Sequence, residues 1–238
     1  MALRPQGQYA GPTVIARADI DPGLRAYMQR VFGMMGLGLG ITGLVAYLVA
    51  QSPAMIQAIY GSPLMWVVFL APVVMAFIFG MRIKTMRATT AQVLFWVFSG
   101  VMGLSLASIF LVYTGESITR TFFIAAATFA ATALYGYTTK RDLTGIGSLL
   151  FMGLIGIIVA SLVNLFLASS ALHWTISILG VLIFTGLTAH DSQKIKGMYS
   201  EDDGAEIGTK KAVMGALNLY MDFINLFLFL LQFFGDRR

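Results

Sequence analysis

Two aspartates stand inside apolar sequence. Asp191 closes the stretch Ile183-Phe-Thr-Gly-Leu-Thr-Ala-His-Asp191, and Asp222 lies within Gly215-Ala-Leu-Asn-Leu-Tyr-Met-Asp222-Phe-Ile-Asn-Leu-Phe. A carboxylate in hydrocarbon costs about 3 kcal/mol on insertion scales, so it normally faces the protein interior, finds a partner and marks an ion or proton path. Two close carboxylates do not both ionise cheaply and tend to share one proton. Loss of that proton leaves two anions that repel each other, bind a cation or recruit a basic side chain. Such a pair is a pH-sensitive switch, and its hard oxygens suit Ca²⁺.

Helical spacing gives the pair polar company. Asn218, Asp222, Asn225 and Gln232 follow i, i+4, i+7 and i+14 on one face, and Thr185, Thr188, Asp191 and Ser192 share one side of the preceding segment. Asn and Thr in such stripes often do no more than join helices, at about 1 kcal/mol per bond. That accounts poorly for the carboxylates. Asn218, Asn225 and Thr188 could add neutral oxygens around a cation. No EF-hand loop is present, so a Ca²⁺ site at Asp191 and Asp222 is expected to be weak and transient, with no resident cofactor. His190 neighbours Asp191 in sequence and is therefore expected to point elsewhere on the helix. Asp222 falls about 10 residues into its span, roughly 15 Å at 1.5 Å per residue, so helix tilt or a broken end is needed to bring the two carboxyls together. Arg82, at the end of an earlier span, is expected at the level of Asp191, where its fork could bridge a carboxylate.

The elements that must position these residues are membrane spans. Of 238 residues 58% are hydrophobic and 11% charged, against about 25% charged in a soluble domain. Seven stretches approach the roughly 20 apolar residues a bilayer core requires: 31–50, 64–81, 91–113, 121–137, 146–167, 171–189 and 212–234. The fold class is thus an all-α membrane protein. Residues 1–24 read as a polar, disordered tail without a cleavable signal, and residues 25–238 as one transmembrane domain. Pro53, Gly61 and Pro63 read as breakers in the first connector, Pro72 as a kink in the second span, and residues 192–211 as a long charged loop. Gly36, Gly38, Gly40, Gly43, Gly153 and Gly156 would let helices approach closely.

Lys and Arg are unevenly distributed over the loops. With the N-terminus inside, the inner side holds Arg4, Arg17, Arg25 and Arg30, then Arg82, Lys84 and Arg87, then Lys140 and Arg141, then Lys194, Lys196, Lys210 and Lys211. The outer side holds Arg120, Arg237 and Arg238. The positive-inside bias puts the N-terminus in the cytoplasm and the C-terminus outside. The net charge of +5 is membrane-loop decoration rather than a nucleic-acid footprint. With no cysteine, thiolate metal sites, disulfides and a Cys nucleophile are excluded. An intramembrane aspartyl protease carries Gly-x-Gly-Asp on the later helix; Leu219-Tyr-Met-Asp222 lacks both glycines. Neither His190 nor His173 is mid-span, as an intramembrane serine protease requires. These readings point away from an enzyme.

The segments Gly186-Leu-Thr-Ala-His-Asp-Ser-Gln-Lys-Ile-Lys196 and Ala216-Leu-Asn-Leu-Tyr-Met-Asp-Phe-Ile-Asn-Leu-Phe-Leu-Phe-Leu-Leu-Gln232 resemble the signature ends of the Bax inhibitor-1 family, in its bacterial, YccA-like branch. The resemblance covers about residues 25–238. It implies six helices around a central seventh, and a pH-sensitive Ca²⁺ leak in the bacterial inner membrane. It also implies a di-aspartyl sensor at Asp191 and Asp222 and an Arg latch at Arg82, with Lys84 as the basic alternative. Where the family commonly has Tyr-Asp this chain has His190-Asp191, an added titrating neighbour. The resemblance carries a second role, as modulator or inhibitor of a membrane-anchored ATP-dependent protease.

Overall fold

The computed structural model describes residues 21–238. The tail expected to be disordered lies, but for its last four residues, outside the described residues. Seven long helices have the length and hydropathy to cross a bilayer. They are α1 (Pro22–Ala50), α3 (Leu64–Arg82), α4 (Ala88–Leu106) continued by the short α5 (Ile109–Val112), α6 (Gly115–Thr138), α7 (Thr144–Leu167), α8 (Ser170–Met198) and α9 (Ala205–Phe234). A short α2 (Pro53–Tyr60) joins α1 to α3. The fold is an all-α membrane bundle.

Several helices outrun their apolar stretches. Helix α1 starts at Pro22, with the Asp21 carboxylate accepting from the backbone N–H groups of Gly23 and Leu24 at 3.0 and 3.1 Å. Most of the expected loop 192–211 is helix: α8 continues to Met198, and α9 already starts at Ala205. Polar residues continue a helix into water without interrupting its backbone bonds, whereas hydropathy reports only the part inside hydrocarbon. Pro53 both marks the break after α1, which ends at Ala50, and opens α2, because a first-turn position needs no backbone donor. Pro72 is accommodated in α3, which runs unbroken from Leu64 to Arg82. The third span does break between α4 and α5. There the Ser108 N–H donates to the Tyr60 hydroxyl at 3.0 Å, and that hydroxyl donates to the Leu104 carbonyl. Burial pushes the Tyr60 phenol above its ordinary range.

Helix α9 is the core. Two-thirds of its most apolar window is buried (67%), against at most 39% for any other span. It packs directly on α1, α4, α6 and α8, while α3 joins the bundle through α4 and α7 through α8. Gly38 brings α1 against α4, where an added Cβ would fall 2.8 Å from the Phe95 ring, whereas Gly36, Gly40 and Gly43 face open space. Those three line an apolar groove of about 670 Å³ between α1 and α6.

Tyr220, fully buried, ties the centre to two walls. Its ring meets Phe95 and Phe98 edge-on at 5.8 and 5.6 Å, and its hydroxyl lies 2.6 Å from that of Thr42. The single Thr42 proton faces the carbonyls of Gly38 and Ser99, both at 2.9 Å, so the Tyr220 O–H is the donor between the two hydroxyls. Tyr220→Phe, which keeps the ring and removes that bond, is expected to cost about 1 kcal/mol, read as a lower melting temperature in detergent.

One end of the bundle gathers basic residues. Glu206 of α9 accepts from the Ala88 N–H at 2.7 Å, Lys210 donates to the Met86 carbonyl at 3.2 Å, and Lys211 pairs with Asp203 at 2.6 Å. Lys196 donates to the Tyr137 carbonyl at 2.9 Å. At the opposite end Arg120 of α6 holds Asp236 and the Phe234 carbonyl, both at 3.0 Å.

Candidate functional site

Helices α8 and α9 run antiparallel, and two contacts set their register. An added Cβ at Gly215 would meet Ile195 at 2.9 Å, and one at Gly180 would meet Phe229 at 2.5 Å. Four residues along α8 from Ile195, Asp191 therefore faces about position 219 of α9. Asp222 lies about one turn deeper, on the order of 5 Å. This corrects the roughly 15 Å expected from the span limits. The difference arises because α8 runs two turns beyond Asp191 and packs those turns beside the start of the α9 span, as the Ile195–Gly215 contact shows.

Both aspartates line one cleft of about 1210 Å³, walled by α7, α8 and α9. Asp222 is 6% exposed, and its Oδ2 has no hydrogen-bond partner among the described residues. Asp191 is more accessible and accepts its bond from a neighbour: Oδ1 lies 2.9 Å from Nδ1 of His190. The expectation that His190 points elsewhere is thus overturned. Adjacent side chains start about 100° apart on a helix, but the imidazole curls back to the carboxylate. Gly147 of α7 makes room for it, since an added Cβ there would stand 2.3 Å from the His190 ring.

The polar stripes divide. Asn218 and Asn225 face the cleft, and the Asn225 amide nitrogen donates to the Met221 carbonyl at 2.8 Å, which leaves its oxygen as the open end. Thr188 is fully buried and donates to the Phe184 carbonyl of its own helix at 2.7 Å, so it does not line the cleft. Gln232 lies toward the other end and accepts from Ser177 at 3.3 Å. Arg82 ends α3 exposed, on a helix that packs against α2 and α4, and neither it nor Lys84 lines the cleft. The structure thus does not bring Arg82 to the aspartates.

Three contributors escaped the sequence reading. Lys194, one turn beyond Asp191 on the same side of α8, is the one Lys or Arg among the cleft residues; its i+3 spacing was the available signal. Thr144 and Ser148 of α7 complete the wall, and small hydroxyl residues at a helix start carry no such signal. Beside them Asp142 accepts from the Thr144 N–H at 2.9 Å; the hydroxyl and N–H of Thr144 hold its carboxyl below the usual range. For a hard cation the cleft offers two carboxylates and two amide oxygens. Among the described residues no group of three or more His, Asp or Glu side chains is gathered to grip one tightly.

Seven apolar helices, one of them buried at the centre, with an acid pair facing a cleft, define a multi-pass integral membrane protein. The family described as "Inhibitor of apoptosis-promoting Bax1" matches residues 24–238. The chain belongs to this Bax inhibitor-1 family. A protein of Rickettsia prowazekii is 47% identical over 226 residues, covering 95% of this chain and 96% of the relative. The inner membrane protein YbhL of Escherichia coli is 45% identical over 219 residues, covering 91% and 94%. A protein of Caulobacter vibrioides is 45% identical over 242 residues, covering 97% of each. The seven spans, and the description of YbhL as an inner membrane protein, fit an inner-membrane location.

Proposed function

We propose that this protein is a pH-sensitive cation leak of the inner membrane, with Asp191 and Asp222 as proton sensor and as the ion's resting place. The observation that carries this reading is Asp222: a carboxyl on the central transmembrane helix, 94% buried, with an unpartnered oxygen in a cleft that also holds Asp191. An uncompensated acid at that depth is costly, and packing alone gives no reason for it. With one shared proton the pair carries a single negative charge. Without it, two negative charges face one another across α8 and α9 and either separate the helices or take a cation, with Asn218 and Asn225 adding neutral oxygens. Arg82 acts as a latch in this scheme only after α3 moves toward the cleft. The basic end of the bundle faces the cytoplasm, in keeping with the positive-inside rule.

The test is Ca²⁺ entry into liposomes holding the purified protein, from about pH 6 to about pH 8. Entry that changes with pH supports the leak, and none at any pH overturns it. The protease-modulator role would depend on the N-terminal tail, outside the described residues, or on a lipid-facing surface, and is separable. Deleting residues 1–20 leaves flux intact on the leak reading, and changes proteolysis in cells if the second role holds.

A further inference from the structure

We propose that the groove between α1 and α6 binds an anionic phospholipid of the inner leaflet, with its acyl chains against the central helix and its phosphate on Lys196. The site is separate from the cleft of the aspartates and stands whether or not the protein leaks cations.

Helices α1 and α6 both pack on α9 but not closely on each other. The gap between them is the apolar groove of about 670 Å³, with Met35, Phe129 and Phe223 as its buried floor and Leu134 exposed at its rim. Phe223 belongs to α9, so an occupant rests on the central helix. Both walls carry small residues at one spacing: Gly36, Gly40 and Gly43 on α1, and Ala126, Ala130 and Ala133 on α6. An added Cβ at any of the three glycines meets nothing within 4 Å, so these glycines hollow out a trough rather than bring two helices of the bundle together.

Such stripes commonly seat another helix. Two observations favour a lipid here. The first is length. The groove runs from Phe32 to Gly43 on α1 and from Tyr137 to Phe122 on α6, about 16 and about 22 Å at 1.5 Å per residue. Both fall short of the roughly 30 Å of hydrocarbon that a spanning partner would follow, and both hold the half of it, about 15 Å, that lipid chains fill from one side.

The second is charge, available at one end only. Tyr137 closes the groove at the basic end, and the Lys196 ammonium donates to its carbonyl at 2.9 Å and stands 5.4 Å from the centre of its ring. Among the described residues no carboxylate lies within ion-pair distance of that ammonium, and two of its three N–H donors have no acceptor. Asp21 and Glu201 share a separate recess with Lys196, and Asp21 is engaged on the Gly23 and Leu24 N–H groups. Arg25, exposed, precedes Gly36 by three turns and about 20°, which puts it on the groove's side of α1. At the far end Arg120, two residues from Phe122, is held by Asp236 and the Phe234 carbonyl. A phosphodiester without a cation of its own suits the basic end, whereas the ammonium of a zwitterionic headgroup is repelled there.

The test titrates the purified full-length protein in detergent with dioleoylphosphatidylglycerol or dioleoylphosphatidylethanolamine and counts bound lipid by native mass spectrometry. One phosphatidylglycerol per chain is expected, held about tenfold more tightly than phosphatidylethanolamine. Gly40→Leu fills the trough from an open position and should weaken that binding about tenfold, whereas Gly80→Leu, equally open but on α3, should leave it unchanged. Lys196→Gln can still donate to the Tyr137 carbonyl, and should bring phosphatidylglycerol down to the level of phosphatidylethanolamine; Lys196→Arg should keep the preference. Glycerol phosphate, which has the anion without the chains, should not displace the lipid. Equal binding of the two lipids in wild type, full binding to Gly40→Leu, or displacement by glycerol phosphate overturns the proposal. So does a wild-type dimer that Gly40→Leu dissociates, which would give the groove to a second copy of the chain.

Discussion

Asp222→Asn is expected to give Ca²⁺ entry that varies by less than about twofold between about pH 6 and about pH 8, a range over which a single titrating proton can change a population about tenfold per unit. An amide keeps the size of the carboxyl and is neutral at every pH. Asp191 then has no partner with which to share a proton, and the charge of the aspartate pair stays fixed. Asp191→Asn is expected to do less. Its removal leaves Asp222, buried and with a free oxygen, still able to titrate, so the pH slope persists but is displaced. The asymmetry follows from position: Asp191 keeps its bond with His190 and some contact with solvent, whereas Asp222 has neither. Flux through single variants, corrected for the amount of protein inserted, reads it out. A flatter profile for Asp191→Asn than for Asp222→Asn would put the sensor on α8 instead.

The largest loss of stability is expected from Gly136→Ala. A Cβ at that position lies 2.0 Å from the Ala189 carbonyl oxygen and 2.8 Å from its carbon, backbone atoms that cannot turn aside, so α6 and α8 must part. Overpacking of this kind costs about 3 kcal/mol at the upper end of its range, and the gain in helix propensity returns about 1, for a net loss of about 2 kcal/mol. Because Ala189 directly precedes His190 and Asp191, the same displacement disturbs the His190–Asp191 bond and should blunt the pH response. Gly156→Ala is the control, since an added Cβ there meets nothing within 4 Å. Thermal unfolding in detergent should show a drop for the first variant and none for the second. Equal melting temperatures would mean that the α6–α8 contact is looser than it stands here.

How far the chain could be read without its structure depended on what each residue answers to. The seven spans were legible because hydrocarbon selects composition, and the stripe Asn218, Asp222, Asn225 was legible because a helix repeats its faces. The ends were not. Residues 192–198 and 205–211 are polar yet helical, and hydropathy confuses leaving the bilayer with leaving the helix. That error carried into the depth of Asp191 and made the two carboxyls look farther apart than the Ile195–Gly215 and Gly180–Phe229 contacts allow. Pro53 shows the same limit in another form, since one residue type both ends and begins helices. Thr188 and Gln232 lay in the right stripes, but which acceptor or donor a hydroxyl or amide takes is decided by packing. The turn of His190 back to Asp191 was missed because side chains travel further than helical-wheel angles suggest, and Lys194, whose i+3 spacing from Asp191 was readable, was counted only with the basic residues of the loop.

The measurement that bears most directly on the central claim sets wild type beside Asp191→Asn/Asp222→Asn in sealed liposomes, following Ca²⁺ entry from about pH 6 to about pH 8 at matched protein content. The account predicts a flux that changes with pH in the wild type and a level response in the double variant. The same pH slope in both proteins would contradict it, because the switch would then lie outside the aspartate pair.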